Sequence, residues 1–475
     1  MPLHKPSILN VLIVSSIILS LSIALIGAPR IPIASNLLSH VTPCMESPDF
    51  WIKKIQSPGR LLLTTEEIQK TNEENLKKPD LLLCRVKDLK EDWSSEEILA
   101  FLKEDWEEFG KTTVVRYGKH GVPLEDSFWN ELGNNLNRES LNERNRLRFG
   151  LIVKRTDIRV FPTDEVSMVT PANYEFDRFQ HSSIPPGSPV GIYHFSKDRI
   201  WAYVQTSFIR GWVRTADLAI AKEKNEVAHY EEAKDRLIIT GNFINVFSDP
   251  PLQQTVFLAQ MGSSFPILTL PQHSGTIDPF YIIKIPFREI DGQLTFRKGY
   301  IPANEDVHRG FLPYTQENLA RQAFKMLHQP YGWGEMFGGR DCSRFIMDIF
   351  TPFGILMPRN SKIQAMVGID LGEVEGKTLK EKKKILDRSM PLATLLRMPG
   401  HIMLYLGKHH GNHYVIHSIW GIRKSGKGGD TLEKIGRVVV SDLNLGRSGP
   451  NGALLHRITD IRFIGPASEA KKRIP

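Results

Sequence analysis

"RDCSRFIMDIFTPFGILMPRNS", residues 340–361, contains one of only three cysteines in a chain of 475 residues. Phe345, Ile346, Ile349, Phe350 and Phe353 recur at steps of three and four, the spacing that gathers apolar side chains on one helix face. Pro352-Phe353-Gly354 ends that helix, and Asp341 or Ser343 can cap its start. Cys342 then falls in the first turn, where unpaired N–H groups and the helix dipole favour an anion. A free cysteine commonly serves as a small buried hydrophobe. At a helix N-terminus it is instead a reactive thiolate with a lowered pKa. The choice between the two turns on whether a base stands nearby.

"PGHIMLYLGKHHGNHYVIHSIWG" (399–421) offers one. It reads as an alternating strand, a polar turn and a second strand. With the turn centred on His409, His401 and His417 face each other directly on one side of the sheet. One imidazole can then take the thiol proton while the other orients it. His409, His410 and His413 read as solvent-exposed turn histidines. A zinc site built on the cysteine and histidines has the right residue types but lacks a paired cysteine spacing.

Outward from this pair, residues 314–475 run helix first and strand later, an α+β domain. From "LIVKRTDIRVFPT" (151–163) to about 313 come short β-type runs separated by Gly, Pro, Asn and Asp. They fall into two sets, 151–222 and 235–313, read as tandem small barrels. "WAYVQTS" and "GWV" in the first set resemble bacterial SH3-like domains, with Trp201 and Trp212 as barrel core or rim. Residues 45–150 read as a helical packing or spacer module. "TTEEI" (64–68) and "SSEEILAFL" (94–102) each place a hydroxyl three residues before a glutamate, as a capping box requires. The fold class is therefore multidomain α+β.

Residues 1–28 differ from all the rest. After Lys5 about twenty residues pass without a charge, long enough for a signal peptide or a membrane anchor. Export to the periplasm or cell envelope is the expectation, with Cys44 and Cys84 able to bridge and Cys342 left unpaired. The formal charge of +8 is spread along the chain, and no basic stripe interleaved with aromatics marks a nucleic-acid partner.

"YGWGEMFGGRDCSRF", "FGILMPRNS", "PGHIMLYLG" and "YVIHS" together resemble the NlpC-type peptidoglycan cysteine peptidases. More narrowly they resemble the subgroup with a helical N-terminal module and two SH3-like domains. The resemblance implies a papain-like catalytic domain in which Cys342 is the nucleophile, His401 the base and His417 its orienting partner. Arg344 stands where the family motif has Gly. Tyr331 is implied as an oxyanion donor beside the Cys342 N–H. Ser343 and Ser361 are implied to bind the α-carboxylate of D-glutamate, and Trp333 belongs to the same substrate-binding set. Arg359 and Gln364 read as structural. The implied partners are murein stem peptides cut between γ-D-glutamate and an L-diamino acid such as meso-diaminopimelate, with no metal or organic cofactor required. The subgroup closes one end of its cleft with the first barrel, leaving room for a free L-alanine. Its ammonium would need a carboxylate, for which Asp341 first, and then Tyr174 with Asp177 on "YEFDRFQHSSIPPG" (174–187), are the expected partners. A wall-binding scaffold with a degenerate peptidase domain, and an acyltransferase using the same thioester chemistry, are the alternatives.

Overall fold

Helix Cys342–Phe350 is buried along its whole length. Its apolar face lies on strands His401–His409 and Asn412–Gly426 of a six-stranded antiparallel sheet. That sheet runs, in order, Ile369–Asp370, Asp460–Phe463, Thr394–Met398, His401–His409, Asn412–Gly426 and Gly429–Asp442. Phe345, Ile346, Ile349, Phe350 and Phe353 are all in the core, each contributing on the order of 1.5–3 kcal/mol by leaving water. The spacing predicts one buried face, but Arg344 and Asp348 on the opposite face are buried as well. Two β-domains cover them. The computed structural model describes residues 38–171, 173–270, 280–372, 374–426 and 429–471, so the apolar stretch 1–28 lies outside the described residues.

Each β-domain is a seven-stranded antiparallel sheet. The first runs from Arg148 to Ile220, starting ahead of the expected 151, and the second from Arg236 to Arg309. Numbered by position along the chain within each domain, the strands lie side by side in the order seventh, first, fourth, fifth, sixth, second, third in both. The second domain is thus a topological copy of the first. Trp201 and Trp212 are buried in the first barrel.

The helical segment is not a spacer. Both expected capping boxes form, at Thr64 with Glu67 and at Ser94 with Glu97. Helices Ser95–Phe109 and Asp126–Asn135 bury Ile98, Leu102, Trp129 and Leu132 in one cluster with Phe161, Tyr203 and Trp212 of the first barrel. Ahead of them, strand Leu61–Leu63 pairs with Tyr314–Thr315, and Trp51 packs on Tyr414 of the six-stranded sheet, ring centroids 5.4 Å apart. From Ser39 onward the chain is one compact unit. Its three cysteines are all unpaired: Cys44 is exposed, Cys84 donates to the Thr206 carbonyl, and Cys342 is buried.

Candidate active site

His401 Nε2 and His417 Nδ1 are 2.7 Å apart, and His417 Nε2 lies 3.0 Å from Ser441 Oγ. The hairpin that joins them does not have the expected register. Its turn is His410-Gly411, closed by His409 opposite Asn412, with both turn residues at positive φ as a tight hairpin demands. Continued unbroken, that pairing would set Leu404 opposite His417 and turn the two imidazoles to opposite faces. Leu406 bulges out between Tyr405 and Gly407, Gly407 taking φ 119°, so Leu404 pairs with Ile416 instead. The histidines end on one face as a diagonal pair, not a direct one. One inserted residue decides it.

If Ser441 accepts from His417 Nε2–H, then His417 Nδ1 accepts from His401 Nε2–H, and His401 Nδ1 is left as the basic nitrogen. The Cys342 sulfur lies against the backbone N–H groups of Ser343 and of Ile402, the residue after His401. Burial lowers the His401 pKa to about 4 and holds His417 well below the ordinary imidazole value. The expected low thiol pKa is not found. Burial, reinforced by the Asp341 carboxylate, pushes Cys342 up to about 12, outweighing the two N–H groups and Arg359. At rest both the thiol and the imidazoles are neutral. Such a pair acts by general-base transfer as the sulfur attacks.

Asp341 caps the helix by accepting from Arg344 N at 2.8 Å. It is also clasped by Arg359, whose Nη2 and Nη1 donate to its two oxygens at 2.7 and 3.1 Å, and it accepts from Ser343 Oγ and Gly334 N. The expectation that Asp341 awaits a substrate ammonium is therefore corrected: its oxygens are already occupied. Ser343 Oγ also accepts from Arg359 Nη1 at 2.8 Å. Gln364 Nε2 ties the carbonyls of Ser343 and Pro358 together, both at 2.8 Å. Ser361, half-buried, opens the short helix Ser361–Gln364. The Tyr331 hydroxyl has no hydrogen-bond partner among the described residues, and its pKa is raised by burial and by the charges of Asp341 and Cys342 beside it.

The loop ahead of strand Gln180–Ile184 brings the first barrel to this site by an unexpected residue. Phe176 packs on Trp420, Trp333 and Tyr331 with centroids 5.2, 5.4 and 6.5 Å apart, while neighbouring Glu175 pairs with Lys434. Tyr174 is half exposed on this loop. Asp177, expected to face substrate, points inward. It is fully buried, takes Arg159 at 2.5 Å and accepts from Ser167 N and Phe179 N, so it shapes the loop instead. His413, read as a turn residue, is buried on its strand against the Tyr405 hydroxyl at 2.8 Å. No cluster among the described residues has the groups to hold a metal. Sequence reasoning also missed Glu335, buried at positive φ in the turn before Cys342. Burial would raise its carboxyl, but Arg344, Arg359 and Arg155 hold it at about 2.

Residues 328–426, which contain Cys342, His401 and His417, match the NlpC/P60 family, and residues 169–214, which contain Phe176, match the SH3 domain of SH3b1 type. Dipeptidyl-peptidase 6 of Lysinibacillus sphaericus is 24% identical over 230 residues, covering 47% of this chain and 75% of that protein. A solved NlpC/P60 endopeptidase from Photobacterium damselae subsp. piscicida superposes with a TM-score of 0.68 at 19% identity, over 87% of this chain and 96% of its own. An NlpC/P60 family protein from Bacillus cereus ATCC 10987 aligns at 16% identity and TM-score 0.45, over 67% of this chain and 100% of its own. The fold shared with the Photobacterium structure thus extends well beyond the two matched stretches.

Proposed function

We propose that this chain, which carries an NlpC/P60 domain behind an SH3 domain, is a cell-wall cysteine peptidase. It cuts murein stem peptides between the γ-carboxyl of D-glutamate and an L-diamino acid such as meso-diaminopimelate. The observation that carries the reading is that the Cys342 sulfur, at a helix start, lies against the N–H of Ile402, the residue after His401, which is hydrogen-bonded to His417 and through it linked to Ser441.

In the proposed reaction His401 Nδ1 takes the thiol proton as sulfur attacks the γ-carbonyl. The first-turn N–H of Cys342, which its own helix cannot satisfy, and the Tyr331 hydroxyl, without a partner among the described residues, would receive the oxyanion. Donors of this kind contribute about 3 kcal/mol each to the transition state. His401 returns its proton to the leaving amine, and water then releases the acyl group from sulfur. In this reading the α-carboxylate of D-glutamate binds Ser361, and Ser343 joins it by turning its hydroxyl from Asp341.

We assign a free N-terminal L-alanine to the substrate because the Phe176–Trp333–Trp420 wall limits what can precede D-glutamate. With Asp341 and Asp177 both paired, this is a restriction of space more than of charge. A relative named a dipeptidyl-peptidase supports it, since a cut after L-Ala-γ-D-Glu releases a dipeptide. The uncharged stretch within residues 1–28 is the basis for assigning the activity outside the cytoplasm, which cell fractionation would check. Mass spectrometry of purified muropeptides after incubation should show this one bond cut by wild type and left intact by Cys342→Ala. Turnover by the variant would refute the nucleophile assignment.

A further inference from the structure

Behind the catalytic residues lies a buried charged cluster where both barrels meet helix Cys342–Phe350. Glu335 is held by the first barrel: Ser182 Oγ donates to its Oε2 at 2.7 Å, Ser183 N to the same oxygen at 3.0 Å, and Ser183 Oγ to Oε1 at 2.7 Å. Arg344 reaches Glu335 at 3.2 Å. Ser182 Oγ also accepts from Arg359 Nε at 2.6 Å, with Glu335 Oε2 3.9 Å from that nitrogen. The outer nitrogens of the same guanidinium clasp Asp341. A barrel hydroxyl is thus two hydrogen bonds from the carboxylate that caps the nucleophile's helix. All these groups are buried, where an unpaired charge is costly and geometry is strictly held.

The electrostatic consequence follows from what faces the sulfur. The ionisable groups are Asp341 in the cap, Arg359 from the loop after the helix and Tyr331 from the stretch before it, while the sheet contributes the Ile402 N–H. Asp341 opposes a negative sulfur and Arg359 favours one. Two nitrogens of that guanidinium are on Asp341, and the acceptor for its third, Ser182 Oγ, comes from the first barrel.

We propose that the first barrel positions the nucleophile: Ser182, oriented by the Glu335 carboxylate that Ser183 also holds, keeps Arg359 clamped on Asp341, so that Cys342 faces a neutralised pair instead of a bare carboxylate. This rests on Cys342 being the nucleophile. Ser182, Ser183 and Glu335 are positioning residues and touch no substrate.

The test measures the rate of iodoacetamide alkylation at Cys342 in the full chain, resolved by peptide mass spectrometry, from pH 7 to about 9.5. Over that range the rate follows the thiolate fraction, so log rate against pH is a line whose displacement reports how readily the sulfur ionises. Ser182→Ala and Glu335→Gln should displace the line downward by about tenfold, the scale expected when one nearby charge loses its compensation. Ser182→Thr, which keeps the hydroxyl, should return to the wild-type line. Coincident lines for all variants, with melting temperatures nonetheless lowered, would overturn the proposal and leave these residues as a domain fastening. Should Glu335→Gln fail to fold, the Ser182→Ala and Ser182→Thr pair decides. Full turnover by Cys342→Ala would instead refute the nucleophile reading, a separate result.

Discussion

The two barrels share one strand order, yet they meet the catalytic helix differently. In both, the third strand faces the buried charges: Gln180–Ile184 in the first, Thr255–Gln260 in the second. The first presents Ser182 and Ser183 to Glu335 and Arg359, beside the helix start. The second presents Gln260, whose Nε2 donates to Asp348 at 2.7 Å, further along the helix, and only grazes Glu335 at 3.4 Å. The connections differ too. Between second and third strands the first barrel has a long loop bearing Phe176, and the second has only "SDPPLQQ" (248–254). A repeated topology therefore says little about role. Which helix turn a strand meets, and how long its preceding loop is, decide whether a barrel builds the site or braces it.

The largest effects should fall in the catalytic domain and set the scale for both barrels. His401→Ala should lower kcat/KM by at least about a thousandfold, the usual result of removing a base of this kind. His417→Asn should lose less, because an amide oxygen can still accept from His401 Nε2–H. Similar small losses for both would mean that the relay is not the base.

Acid should act next. His401 and His413 take protons only near pH 4 in the folded chain but at about 6.5 when unfolded, and His417 also resists protonation. The unfolded chain therefore binds more protons between those values, so this stability is intact above pH 6.5 and declines as pH falls to about 4. A melting temperature flat across that interval would show these imidazoles not to be buried neutral.

At the first barrel, Phe176→Ala should open the aromatic wall. The rate on a tripeptide with a bulky N-terminal blocking group, relative to the free tripeptide, should rise about tenfold, the value of roughly one well-packed contact. An unchanged ratio would remove the first barrel from substrate choice and make the two barrels alike. At the second, Gln260→Ala should cost about 1–3 kcal/mol of stability, read by denaturant unfolding. Asp348 keeps Arg340 and Arg344, both at 2.6 Å, so Cys342 alkylation should stay within about twofold of wild type. A tenfold fall there would erase the distinction between the barrels.

Much of the site is written locally. The three- and four-residue apolar steps after Cys342, the hydroxyl-to-glutamate spacing at Thr64 and Ser94, and the alternation around His401 all act within a few residues, where backbone geometry alone relates sequence to position. The histidine pair was also legible, though not its register. A single bulge at Leu406 offsets the odd step introduced by the His410-Gly411 turn, and alternation does not say where a strand will carry an extra residue.

The sequence by itself determined the helix that Cys342 opens, the two imidazoles and the succession of helical, β and α+β segments, and only the structure chose Asp341 over Ser343 as the cap. Only the tertiary structure decided that Asp341 and Asp177 are occupied by Arg359 and Arg159, and that Glu335 takes its serines from strand Gln180–Ile184. It also decided that Phe176 packs on Trp333 and Trp420 and that the Cys342 thiol is raised by burial although its helix dipole favours the opposite. The physical reason is range. A helix or a cap is fixed by neighbours in the chain, whereas the state of a buried charge depends on every group that folding brings within a few ångströms, here from segments more than 150 residues apart.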